Sequence, residues 1–216
     1  YTVVEPPTVI TTHLTEVIKD NMPDLLSYAA TTKLLDDLPP ENKKLVEDMI
    51  PGQVSVSALQ RVLQNLLAER VSIRDLASIL EGLAEAAAYT QNIVMMSEHV
   101  RARLGRQLCA DNADKSGAIP LVTLTAEWEQ RFAESLHGQG DERQLAMPPS
   151  QLQEFIEAVK RAFEQQARLG VLPCLLTSPG IRPYVRSIIE RFRPQTVVLS
   201  QNEIHPKAKL RPLGQI

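Results

Sequence analysis

Two amphipathic segments separated by a short break constrain the fold of this chain more than any other feature of its sequence. The first segment carries apolar residues at the spacing of one helix face, namely Leu59, Val62, Leu63, Leu66 and Leu67. The second repeats the pattern with Ile73, Leu76, Ile79, Leu80 and Leu83. Ser57 precedes Gln60, and Ser72 precedes Asp75, at the spacing of a capping box, so N-caps are predicted at the two serines. A connection this short predicts two packed helices in an αα-corner or helix-turn-helix.

Helical periodicity extends on both sides of this corner, from about residue 8 to residue 110. A bend is expected at Pro23, and helix ends are expected at Pro39-Pro40 and at Pro51-Gly52. Residues 1–10, YTVVEPPTVI, have the composition of a strand that enters a turn. Because the first residue is Tyr1 and not Met, the chain is expected to be a fragment of something longer.

The pattern changes after Gly117 and becomes that of an α/β module. The segments AIPLVTL, VLPCLLT, TVVLS and KAKLRPL predict strands, and helices are expected from Thr125, from Ser150 and across SPGIRPYVRSIIERF. The stretch HGQGDERQLAMPP is expected to be a loop, and Trp128 is expected to anchor its helix in the core. The fold class is therefore α+β and mostly helical, with an all-helical, helix-turn-helix or winged-helix-like module followed by a small α/β module. The two modules are expected to meet near residues 108–118.

Composition excludes several functions. The 216 residues are 44% hydrophobic with a formal net charge of -3, so a sizeable core is expected and no global field favours nucleic acid or an anionic membrane. No apolar run approaches the roughly 20 residues that span a bilayer. Cys109 and Cys174 stand among apolar residues and are predicted to be buried free thiols.

The stretch NADKSGAIPLVT has part of the spacing of a calcium-binding loop. Asn112, Asp114 and Ser116 stand at ligand positions, and Gly117 follows them in register. The closing position is Thr123, which cannot supply a bidentate carboxylate, and the segment continues as a strand. A polar turn is predicted here, not a calcium site.

Other candidate sites have weak support. The four histidines are scattered without metal-ligand spacing, and no phosphate-binding, dinucleotide-binding or nucleophile-elbow motif occurs. We therefore expect no enzyme activity, no catalytic residue, no metal and no cofactor. The helical corner is not basic, with three arginines (Arg61, Arg70, Arg74) against four acids (Glu69, Asp75, Glu81, Glu85). A winged-helix-like nucleic-acid binder remains an alternative class, although nucleic acid is not the expected partner.

The C-terminal region is richer in cations, which are Arg182, Arg186, Arg191, Arg193, Lys207, Lys209 and Arg211. The arginines of the helix near residue 185 are expected to form a solvated face. A docking surface for an acidic partner is the alternative.

Three blocks of the sequence carry a specific resemblance: YTVVEPPTVITTHLTEVI, LQRVLQNLLAERVSIRDLASILEGLAE and LLTSPGIRPYVRSIIERFRPQTVVLSQNEI. Together they resemble the cytoplasmic domain of the FHIPEP family, the export-gate proteins of bacterial flagellar and virulence type III secretion. The residues of the C-terminal block are more similar to those of the flagellar branch, and the virulence branch is the alternative. The resemblance covers essentially the whole chain.

The resemblance implies an organisation and a set of partners. Residues 1–20 would be the end of a first cytoplasmic subdomain, residues 21–110 the helical subdomain and residues 117–216 the α/β subdomain. The full-length protein would lie in the bacterial inner membrane, with this part on the cytoplasmic face and joined to the membrane only through missing N-terminal segments. It would form a ninefold homo-oligomeric ring, dock export chaperone-substrate complexes and work with the associated ATPase complex.

The resemblance also implies candidate residues. Thr12, in TTHL, is the one position of the family's chaperone-docking pocket that the chain retains, so chaperone binding by this fragment is expected to be poor. Arg74 and Glu85 flank the apolar stripe of the helical corner and are predicted at the interface between protomers.

Overall fold

The computed structural model describes residues 5–138, 140 and 143–216, and the chain divides into two compact units, residues 1–100 and residues 101–216. The first unit is helical and the second contains a parallel sheet with helices, so the predicted α+β, mostly helical class is confirmed. The predicted helical module ended at residue 110. Residues 101–110 instead belong to the second unit, because their side chains and backbone pack around Glu203.

The first unit consists of consecutive helices: α1 (Pro6–Leu25), α2 (Tyr28–Asp36), α3 (Pro40–Met49), α4 (Val56–Ala68), α5 (Leu76–Ala87) and most of α6 (Ile93–Arg103). The predicted initial strand was wrong from Pro6 onward, because Pro6 and Pro7 occupy the first turn of α1, where a missing backbone N–H has no cost. Its other predicted residues, 1–4, lie outside the described residues. Pro23 lies inside α1 as predicted.

The predicted helical corner is confirmed in α4 and α5. Its apolar stripes form the core of the unit, with 0% exposure at Leu59, Val62, Leu63, Leu66, Ile79, Leu80 and Leu83. The caps differ from the prediction. Ser55, not Ser57, caps α4 by accepting a bond from the Ala58 N–H at 3.0 Å, because the helix begins at Val56. Asp75 caps α5 by accepting from the Ser78 N–H at 3.1 Å, and Ser72 lies before the helix.

The second unit is built on a four-stranded parallel sheet. In chain order its strands are β1 (Ala118–Thr123), β4 (Cys174–Thr177), β5 (Val198–Ser200) and β6 (Lys209–Gln215), and their spatial order is β5-β4-β1-β6. All four were predicted. Leu121 pairs with Cys174 in β4 and with Pro212 in β6, which places β1 inside the sheet.

Helices α7 (Gly105–Asp111), α8 (Ala126–Glu134), α9 (Pro149–Arg168) and α10 (Arg182–Ile189) complete this unit. Trp128 is 7% exposed and meets Phe155 edge-on, with ring centroids 5.2 Å apart, so its predicted role as a core anchor is confirmed. Two features differ from the sequence prediction. The predicted loop contains a small hairpin of β2 (Leu136–His137) and β3 (Gln144–Leu145), and α9 begins at Pro149 without a side-chain cap, not at a capping Ser150.

Candidate protein-interaction surfaces

Thr12, the candidate docking residue, is exposed on α1. Its hydroxyl donates to the carbonyl of Thr8 at 2.8 Å, as Thr15 does to Thr11, so both hydroxyls have local partners. The side of α1 that includes Glu16 and Asp20 is held by Arg70, whose Nη2 lies 2.5 Å from Asp20 Oδ1 and 3.4 Å from Glu16 Oε2. Helical spacing puts Thr12 on this same side of α1.

The other side of α1 presents an apolar stripe to solvent. Its members recur at helical spacing and are each 43–66% exposed: Ile10, Leu14, Val17, Ile18 and Leu25. No described residue of α1 is buried. This helix therefore presents an apolar face to solvent.

Arg74 and Glu85, the candidate interface residues, are both exposed, Arg74 just before α5 and Glu85 in its last turn. The Arg74 N–H donates to Ser72 Oγ at 3.4 Å, just before the helix begins. Glu85 Oε2 lies 3.1 Å from His99 Nε2 of α6. The structure therefore leaves both side chains accessible but does not bring them together into one cluster.

Three apolar residues that follow Glu85 in the chain are exposed, which the sequence did not predict. Tyr89 is 87% exposed, Val94 47% and Met95 46%, and these three residues are called the Tyr89 patch below. Glu85 stands four residues before Tyr89 in the sequence, and His99 stands four residues after Met95. Val94 and Met95 have the helical spacing of a core stripe but are exposed, and Tyr89 stands in the turn between α5 and α6, outside any stripe.

The predicted solvated arginine face of α10 was wrong. Arg182 and Arg186 are only 2% and 7% exposed. Arg182 Nη1 donates to the Val198 carbonyl at 3.1 Å, and Arg186 Nη1 donates to the Thr196 carbonyl at 2.9 Å, so both fasten the segment that leads into β5. They serve the interior of the second unit and cannot form a docking face.

The carboxylate of Glu203 contacts several polar groups in this interior. Its Oε1 accepts from Arg101 Nε at 2.5 Å, its Oε2 accepts from the Ser200 N–H at 2.7 Å, and Arg182 Nε lies 4.0 Å from Oε1. Sequence analysis missed Glu203, although the Ser-Gln-Asn-Glu run from Ser200 has capping-box spacing and could have indicated it.

The predicted polar turn at Asp114 is confirmed. Asp114 Oδ1 accepts from the Ser116 hydroxyl at 2.6 Å and from the Ser116 N–H at 2.8 Å, and Oδ2 lies 2.7 Å from Arg211 Nη2. The Ser116 bonds, with a smaller contribution from Arg211, hold the pKa of Asp114 below its usual range. Within residues 5–138, 140 and 143–216, no group of three or more His, Cys, Asp or Glu side chains could hold a metal ion.

Both cysteines are buried and free, as predicted. Burial, with a smaller contribution from Cys109, raises the pKa of the Cys174 thiol to about 12. Cys174 is therefore a protonated, unreactive thiol at neutral pH.

The fold of this chain is shared with a class of proteins of known structure. The structure is similar to that of nonameric EPEC SctV-C, with a TM-score of 0.85 at 26% identity, covering 96% of this chain and 62% of that one. It is also similar to the Chlamydia pneumoniae CdsV protein in its complex with CdsO, with a TM-score of 0.81 at 26% identity, covering 99% and 62%. The fold is thus that of the C-terminal domains of type III secretion SctV proteins.

Sequence similarity identifies the family to which the chain belongs. The FHIPEP family profile matches residues 1–209, and the chain belongs to this family. It is 62% identical to the flagellar biosynthesis protein FlhA of Caulobacter vibrioides and 34% identical to that of Escherichia coli, each across the whole chain. The chain spans about a third of the length of these relatives, 31% and 30% respectively. The family expected from the three sequence blocks is therefore confirmed.

Among the described residues, no helix has the length and apolarity that a membrane crossing requires.

Proposed function

We propose that this chain is a cytoplasmic part of a flagellar type III export gate, where it docks chaperone-substrate complexes and contributes to a homo-oligomeric ring. The observation that carries the proposal is the family match across residues 1–209, together with 62% identity to a flagellar FlhA. The full-length protein would lie in the inner membrane and work beside the export ATPase complex. The virulence branch would use the same mechanism with different cargo.

The ring is supported by the relatives and by an exposed surface. The EPEC SctV-C relative is nonameric, and its fold matches this chain over 96% of the residues. The Tyr89 patch offers an aromatic and two aliphatic side chains to solvent, and aromatic and Met residues are enriched in protein interfaces. Its flanking pair, Glu85 and His99, would supply a polar rim. The proposed occupant of the patch is a second copy of this chain.

The role is one of binding, without catalysis. The buried Glu203 carboxylate is engaged with Arg101 and with the Ser200 N–H. The thiol of Cys174 is held protonated. These contacts stabilise a scaffold and supply no nucleophile with an adjacent base.

The proposal is tested by capture on immobilised flagellar chaperone-substrate pairs. The complete cytoplasmic domain should be retained. The 216-residue chain should be retained more weakly, because Thr12 is the one residue of the implied docking pocket within it. Failure of both proteins to bind above the level of an unrelated bait would contradict the docking role.

A matched pair of variants locates the docking site on α1. Thr12→Ala and Thr15→Ala each remove one exposed hydroxyl that donates to a carbonyl one turn earlier at 2.8 Å. In the complete cytoplasmic domain, Thr12→Ala should weaken capture and Thr15→Ala should leave it unchanged. Equal effects would show that Thr12 has no special part in docking.

A further inference from the structure

A small cationic cavity lies in the second unit, between α7 and the turn that leads into β6. Its volume is about 300 Å³, and three cationic side chains line it, Arg106, Lys207 and Lys209, together with the imidazole of His205. Arg106, Lys207 and Lys209 are exposed. This concentration of positive charge departs from the formal net charge of -3 of the whole chain.

The nearby acids do not cancel this charge. No carboxylate lines the cavity among the residues that the structure describes. Glu203 is 1% exposed and is engaged by Arg101 and the Ser200 N–H. Asp114 is engaged by Ser116 and Arg211. The positive charges of the cavity therefore remain available to attract an anionic group that enters it.

The backbone that carries His205 and Lys207 is fixed by hydrogen bonds. The His205 N–H donates to Cys109 Sγ at 3.2 Å, and the Cys109 thiol in turn donates to the Glu203 carbonyl at 3.4 Å. The Ala208 N–H donates to the His205 carbonyl at 2.8 Å, and the Lys207 N–H donates to His205 Nδ1 at 3.2 Å. The backbone that carries Lys207 therefore does not need to be ordered when a ligand binds.

The rest of the lining is small and apolar. It includes Ala110, Ala113, Ile119 and Ala208, and no Phe, Tyr or Trp side chain among the residues that the structure describes. Such a floor accepts an aliphatic side chain, whereas binding of single-stranded nucleic acid relies on aromatic residues that stack on bases. Duplex binding needs a basic stripe that follows several phosphates, which a cavity of this size does not provide.

We propose that this cavity binds an acidic segment of a partner protein, with Arg106, Lys207 and Lys209 contacting its carboxylates and the apolar floor contacting an adjacent aliphatic side chain. Lys207 and Lys209 belong to the C-terminal cations for which the sequence left an acidic-partner docking surface as the alternative. The buried Arg182 and Arg186 are not part of it. The Tyr89 patch and Thr12 belong to the first unit, and the proposal does not depend on the role of either.

Fluorescence anisotropy of a labelled peptide in which Glu alternates with Ala and Leu tests the site on the 216-residue chain. The same peptide with Gln in place of Glu is the ligand control, and a short DNA duplex is the second polyanion. Binding of the Glu peptide should weaken with added salt, and the double variant Lys207→Glu, Lys209→Glu should weaken it by about tenfold or more. Arg106→Gln should also weaken it, with the thermal unfolding temperature checked for every variant.

The matched control is Lys43→Glu with Lys44→Glu, which reverses two exposed charges on α3 and should change the affinity by less than about twofold. Four results would overturn the proposal: no binding of the Glu peptide, equal binding of the Gln peptide, equal losses in the α3 control, or DNA binding of the same affinity that the Lys207 and Lys209 changes also abolish. Each of these outcomes is read on the isolated chain. None requires ring assembly or chaperone capture, so failure here is distinct from failure of the proposed function.

Discussion

Arg101 and Glu203 form a buried ion pair, with 2.5 Å between Nε and Oε1 and side chains that are 2% and 1% exposed. The second carboxylate oxygen accepts from the Ser200 N–H, and Arg182 approaches the first at 4.0 Å. Burial removes water from both charges, so neither can lose its partner without a large cost. This pair fixes the end of α6 to the segment after β5 within the second unit.

Replacing Glu203 with Gln should destabilise the second unit by about 3–5 kcal/mol, because Arg101 and Arg182 would keep buried charges without their carboxylate. Urea denaturation followed by circular dichroism measures the free energy of unfolding. Glu154→Gln is the matched control: it breaks an exposed pair with Arg131 at 3.0 Å and should cost less than about 1 kcal/mol. Equal losses for the two variants would contradict the importance of the buried pair.

Gly105 lies directly against the same residue. A Cβ at this position would stand 2.7 Å from the Glu203 carbonyl oxygen, a backbone atom that cannot move away cheaply. Gly105→Ala should therefore destabilise the chain by about 1–3 kcal/mol. Gly52→Ala is the control, because nothing lies within 4 Å of its added Cβ, and it should leave the thermal unfolding temperature almost unchanged. A neutral Gly105→Ala would show that α7 can shift away from Glu203.

The repeating apolar patterns allowed the secondary structure to be predicted. The α4 and α5 stripes, the four strands of the sheet and the Trp128 anchor all follow from periodicity or from short buried runs, since burial of one face determines these patterns. The helix starts predicted at Ser57 and Ser150 were misplaced. In α4 a serine two residues earlier is the N-cap, and in α9 a proline occupies the first position of the helix.

The candidate site was harder to predict, because it depends on contacts between residues distant in sequence. Arg182 and Arg186 have the spacing of an exposed helix face, yet long-range bonds to carbonyls near β5 bury them. Arg106 and Lys207 lie about a hundred residues apart, and only the folded chain brings them to one cavity. Tyr89 lies outside the periodic apolar stripes of the helices. Thr12, Arg74 and Glu85 came from the family resemblance, and their roles remain predictions.

Asp114 provides a prediction about pH. Its pKa is lowered in the folded chain from an ordinary value of 3.8, first by the Ser116 hydroxyl. A lowered folded-state pKa contributes stability that is fully present above the unfolded value and is lost as the pH falls through the folded value. The stability difference between the natural chain and Asp114→Asn should therefore be present at pH 7 and shrink below about pH 4. Urea denaturation across this range measures it, and a difference that grows on acidification would contradict the assignment.

A charge reversal at Arg74 tests the interface between protomers that the family resemblance implies. Arg74→Glu in the complete cytoplasmic domain should reduce ring assembly, and in the full-length protein it should reduce motility, because a reversed charge at a protomer contact is repulsive. Arg168→Glu reverses another exposed cation, at the end of α9, and serves as the control. Unchanged ring assembly and motility for Arg74→Glu would remove this residue from the interface.

The most direct test of the ring role is sedimentation velocity of the complete cytoplasmic domain with the Tyr89 patch made acidic. Tyr89→Asp with Met95→Asp should shift the protein from rings toward monomers, because charges would replace the apolar contact. Leu169→Asp with Leu172→Asp changes two leucines of the second unit that are 71% and 81% exposed, and it should leave the rings intact. Rings that persist in the Tyr89 patch variant at the same concentrations would contradict the account.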